Sequence, residues 1–78
     1  MKTNNVSIDN IKNMIENKKI EIGLYTGKNQ DNQDIIFVVD IDKFATRVKQ
    51  KNGWIRVNIY EYDRNENVWI TEETYEKE

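Results

Sequence analysis

The spacing between apolar residues changes once along this chain, and that change limits the folds open to it. From Ile8 to Lys18 the apolar residues fall three or four apart: Ile8, Ile11 and Ile15, with Met14 widening the stripe. That is the period of one helix face. Ser7 stands where a hydroxyl can cap the first turn, and Asp9 follows at the end where the helix dipole favours an anion. Lys18 and Lys19 lie at the opposite end. After this the period drops to two. Ile20, Ile22 and Leu24 alternate with Glu21, Gly23 and Tyr25, the pattern of a half-buried strand. A helix followed by strands predicts an α+β domain, with the N-terminal helix packed on a mainly antiparallel sheet of four or five strands.

The later strands are read from their turns. Residues 26–34 are polar and predict a loop, and Ile35–Val39, apolar on both sides, predicts a central strand. Asn52-Gly53 predicts a two-residue hairpin turn, since both residues tolerate the positive φ such a turn needs. Folding there sets Lys51 against Trp54, Val48 against Val57 and Thr46 against Ile59. One face then holds Phe44, Thr46, Val48, Ile55, Val57 and Ile59, and the other holds Arg47, Lys49, Lys51, Trp54, Arg56, Tyr60 and Tyr62. A second helix over about 41–51 also fits, because Ile41, Phe44, Ala45 and Val48 keep helical spacing and Asp40 or Asp42 can cap it. Residues 63–67 predict a turn and Val68–Thr71 a last strand, with Ile59 against Ile70 and Tyr60 across from Trp69. The ends, 1–5 and 73–78, are expected to fray.

With 78 residues the chain forms a single domain, residues 1–78, with a thin core. The helix stripe is expected to meet Ile20, Ile22, Leu24, Phe37, Phe44, Val57 and Ile59. The sequence contains no cysteine and no histidine. Disulfides and thiolate nucleophiles are thereby removed, as are the commonest general base and the commonest transition-metal ligand. Asn4, Asn5, Ser7 and Asp9 interrupt any signal-peptide core, and Ile35–Val39 is too short to span a bilayer. A cytoplasmic protein without membrane contact is expected.

Little chemistry is on offer. Ser7 is the only serine and is explained as a cap. Asp40 and Asp42, two apart, read as a turn or cap pair, and Asp31 and Asp34 as loop residues. Gly23, Gly27 and Gly53 are too scattered to cradle a phosphate. No catalytic residue, metal ligand or cofactor is expected, and the protein is expected not to be an enzyme.

The constellation that invites a partner combines rings and cations: Trp54, Tyr60, Tyr62 and Trp69 with Arg47, Lys49, Lys51 and Arg56. Residues 43–60 carry five cations and no acid, whereas 61–78 carry seven acids against Arg64 and Lys77. Trp, Tyr and Arg are the residues enriched at protein-contact hot spots. The candidate partner-binding residues are therefore Arg47, Lys49, Trp54, Arg56, Tyr60, Tyr62 and Trp69. The expected function is a small non-enzymatic module that binds a protein partner. The alternative is a single-stranded nucleic-acid binder that stacks bases on the same face. In a third reading the rings simply pack under the helix. The acidic stretch from Glu61 to Glu78 offers a contact of opposite sign, to a basic groove. A homodimer is a further expectation, since pairing would relieve the thin core. In length, in missing chemistry and in skewed composition the chain is similar to small inhibitors encoded by phages and mobile elements, which implies blocking of a partner's surface.

Overall fold

Ser7 begins the helix as expected. Its backbone is extended, and its hydroxyl accepts from the Asn10 N–H at 3.1 Å while the Asn10 side chain returns to the Ser7 N–H. In the computed structural model, which describes residues 5–77, the elements are β1 (Asn5–Val6), α1 (Ile8–Glu16), β2 (Gly23–Lys28), β3 (Asp34–Val39), β4 (Lys43–Lys49), β5 (Trp54–Asp63) and β6 (Val68–Lys77). The sheet order equals the chain order. Strands β2 to β6 form an antiparallel meander, and β1 joins the β2 edge in parallel. This is the α+β architecture the period change predicts.

The helix lies on one face of the sheet. Ile11 and Ile15 are fully buried there against Ile35, Phe37, Val39, Phe44 and Val48, with Thr46 buried among them. Helix α1 stops at Glu16, two residues short of the expected Lys18, because Lys18 turns left-handed at φ 57° and its N–H closes on the Ile15 carbonyl.

Two strand readings change. The first concerns β2, which begins at Gly23 and runs through Thr26, Gly27 and Lys28, residues that read as loop. Tyr25 and Gly27 take the helix side, so Ile22 and Leu24 face solvent instead of the core. Gly27 is what lets β1 dock. A Cβ at this position would collide with the Val6 carbonyl oxygen.

The second concerns the hairpin. Residues 43–49 are strand, not helix. The turn holds three residues rather than two: the Gln50 N–H donates to the Trp54 carbonyl at 2.7 Å, and Gly53 closes the loop at φ 81°. The extra residue slips the register by one. Val48 faces Arg56, Thr46 faces Asn58 and Phe44 faces Tyr60. A one-residue slip moves every side chain of a strand to the other face. Tyr60 and Tyr62 therefore join the helix side, while Ile55, Val57 and Ile59 leave the expected core for the opposite face.

Strand β6 pairs two residues away from expectation, which preserves its faces. Ile59 opposes Glu72, Ile70 opposes Glu61 and Trp69 opposes Tyr62. It also continues to Lys77, where fraying was expected. Residues 1–4 and 78 of the expected frayed ends lie outside the described residues.

Candidate binding surfaces

The register slip divides the seven candidate residues between two faces. Arg47 and Lys49 project from β4 on the open side of the sheet, while Trp54, Arg56, Tyr60, Tyr62 and Trp69 lie on the helix side. They do not form one surface.

Three of the rings wall the core. Tyr60 stacks on Phe44 with centroids 4.5 Å apart, Trp69 meets Phe44 edge-on at 5.7 Å, and Tyr62 leans on Trp69 at 5.0 Å. The helix is fastened to this wall. Trp69 Nε1 donates to the Glu16 carboxylate at 2.7 Å, and the Lys12 ammonium lies over both Tyr60 and Trp69. Burial raises the Tyr60 phenol above its ordinary value, since a phenolate there would lose its water. The packing reading thus describes Tyr60, Tyr62 and Trp69.

Arg64 completes the fastening and was passed over in the sequence as part of a polar turn. Its Nε donates to Asp42 and its Nη2 to the Ile15 carbonyl, both at 2.7 Å, and its guanidinium covers the Tyr62 ring. It thereby adds a second hydrogen bond to a helix C-terminal carbonyl that also accepts from the Lys18 N–H. Asp42 is committed to this pair, and Asp40 accepts from the Ile41 N–H. Among the described residues no three acids converge on a point that could hold a metal ion.

Trp54 lies at the hairpin end, and Arg56 next to it on the same face borders a cleft shared with Ser7, Ile8 and Asp9 at the helix start. Tyr75 lies directly across from Arg56 on β6, and the Lys77 ammonium stands 4.9 Å from the Trp54 ring centre. A shallow cleft along this end of the sheet is lined by Gln33, Lys49, Lys51, Asn52, Trp54 and Tyr75. Arg56 Nε is buried and makes no hydrogen bond. The Tyr75 hydroxyl donates to Glu73 at 2.9 Å, which raises its pKa. Carrying the alternation of the last strand past Thr71 would have placed Tyr75 on the face of Trp69.

The open face is a different surface. Leu24, Val38, Ala45 and Ile59 stand side by side across four strands, with Ile36 and Val57 in the next row. Leu24 is 73% exposed and Val38 45%. Val57 is only 5% exposed, because Arg47 on β4 reaches across β5 to Glu76 on β6 at 2.8 Å and roofs it. Among the described residues no helix is long and apolar enough to cross a membrane. No protein-family model matches the chain, and neither a curated protein nor a solved structure matches it.

Proposed function

We propose that this chain is a non-enzymatic protein-binding module whose contact surface is the hairpin end of the sheet. Trp54, Arg56 and Tyr75 form its centre, and Lys51 in the turn its border. The observation that supports this reading is that Trp54 and Tyr75 stay 37% and 52% exposed beside cations, while the other large rings of β5 and β6 are packed against the core. Rigid rings among guanidinium and ammonium groups suit a protein segment that offers an apolar side chain flanked by carboxylates. Occupying such a segment would block it for other users, an inhibitor-like action that needs no chemistry of its own.

A selection from a displayed random-peptide library tests this, with counter-selection on a Trp54→Ala/Tyr75→Ala variant. Peptides with an apolar residue between Asp or Glu should emerge. Trp54→Ala should weaken them about tenfold or more, and more than Lys51→Ala does. Peptides that ignore Trp54→Ala, or an empty selection, would sink the reading. Salt-sensitive binding of a labelled single-stranded oligonucleotide that is lost in Trp54→Ala/Arg56→Ala would replace it with nucleic-acid recognition.

A further inference from the structure

The two edges of the sheet are finished differently. At the β2 edge the parallel strand β1 pairs with Thr26 and Gly27. At the opposite edge, among the described residues, no strand lies beyond β6. We propose that this edge receives an extended segment of a partner protein as one more antiparallel strand, a segment in which two adjacent basic residues precede alternating apolar ones.

Natural proteins blunt their sheet edges with short strands, bulges, proline or lysine, because an open ladder templates pairing with another chain. Strand β6 lacks the first three devices. It runs for 10 residues in unbroken register with β5, contains no proline, and is exposed everywhere except at half-buried Trp69. Its one lysine, Lys77, stands at the far end over the Trp54 ring. In an antiparallel ladder every second residue turns its N–H and C=O away from the strand it pairs with. The outer side of β6 is therefore a row of backbone donors and acceptors, which is what strand addition uses for affinity.

Charge selects the occupant. Strand β6 carries Glu72, Glu73 and Glu76. These acids turn away a second copy. An antiparallel pair of β6 strands engages most of its length when centred on Glu72 or Glu73, and either register sets that glutamate against its own image. Centring on Thr74 sets Glu72 against Glu76 instead. Like charges directly opposite each other destabilise a sheet, whereas opposite charges support it. Glu76 is already held by Arg47 at 2.8 Å, so the demand for cations falls on Glu72 and Glu73. The hydrogen bond that Glu73 accepts from the Tyr75 hydroxyl leaves its charge in place. Nearer the start of the strand, Ile70 and Val68 are exposed on the open face and suit β-branched apolar neighbours. Read from its own N-terminus, an antiparallel partner thus sets basic, basic, polar, apolar, polar, apolar against Glu73 through Val68.

The probe is a labelled synthetic peptide, Lys-Lys-Thr-Val-Thr-Val, titrated with the full chain and read by fluorescence anisotropy. Saturable binding is expected. Glu72→Lys/Glu73→Lys should weaken it at least about tenfold, and should gain the matching peptide with two glutamates in place of the lysines. Both positions are exposed, and thermal melting verifies that the variant is folded. Backbone pairing has its own readout. Methylating the peptide nitrogens at alternate residues removes the amides of one edge only, so one of the two half-methylated peptides should keep binding and the other lose it. An equal effect of both would mean that charge alone holds the peptide, and overturns the proposal. No binding at chain concentrations up to about 1 mM overturns it as well. So does a two-chain mass with β6 amides protected from hydrogen exchange in the chain alone, which would put a second copy on the edge. Each of these results leaves the hairpin-end reading standing, because that is decided by acidic peptides and Trp54.

Discussion

The two faces of this sheet are built from the same strands, yet they are finished differently. On β3 the alternation is strict: Ile35, Phe37 and Val39 are buried under the helix, while Ile36 and Val38, equally apolar, remain half exposed one residue away. The helix side is closed by stacked rings, by Trp69 on Glu16 and by Arg64 on the Ile15 carbonyl. The open side has apolar residues of the same kind and one ion-pair roof over Val57. Hydrophobicity alone therefore does not make a core. A core needs a second layer to exclude water, and this chain supplies one layer for two faces.

The sharpest way to break the comparison is to truncate matched residues on each side. Phe37→Ala should destabilise the fold by about 3–5 kcal/mol, read by denaturant unfolding, because it leaves a cavity beneath α1. Val38→Ala, its neighbour, should cost below about 1 kcal/mol. Equal losses would show that the open side is as buried as the helix side. Next comes the edge that closes the helix side. Gly27→Ala should expel β1 through the clash with the Val6 carbonyl, at about 2 kcal/mol, and expose the Val6 and Gly27 amides to hydrogen exchange. Arg64→Ala should cost about 1 kcal/mol, since it removes one hydrogen bond to the Ile15 carbonyl and a partly exposed ion pair. An unchanged melting temperature there would mean that the fastening is decorative.

The smallest effect is a matter of pH. Burial raises the folded Tyr60 phenol above the ordinary tyrosine value of 10.0, so the folded state favours the protonated form. The associated stability is fully present below pH 10 and is lost as the pH rises through the folded value. Phenolate absorbance should show one tyrosine titrating above the ordinary value that disappears in Tyr60→Phe, and that change should remove its share of the alkaline loss.

How legible all this is in the sequence depends on what each element relies on. Helix α1 rests on local signals, the Ser7 cap and the Ile11/Ile15 spacing, and both are visible. The strand character of 54–62 and the turn at 63–67 also show through. The β5 register was not legible, because it is set by whether Gly53 is the second or the third residue of its turn. Trp54, Tyr60 and Tyr62 are as plausible outward as Ile55, Val57 and Ile59 are inward. Strand β2 was obscured because Gly27 is chosen for a close approach to Val6 rather than for strand propensity. Of the candidate site, Trp54 and Arg56 stay together, Arg47 and Lys49 go to the other face, and Tyr75 becomes visible only when the last strand is followed to its end.

The equality of sheet order and chain order reaches into kinetics. Each strand from β3 to β6 pairs with the one made just before it, across connections of three to five residues. Closing such short loops costs little entropy, so the meander can lengthen one hairpin at a time, and low contact order speeds folding. On a ribosome, every strand after β2 would find its neighbour already waiting, and the apolar field of the open face would grow strand by strand.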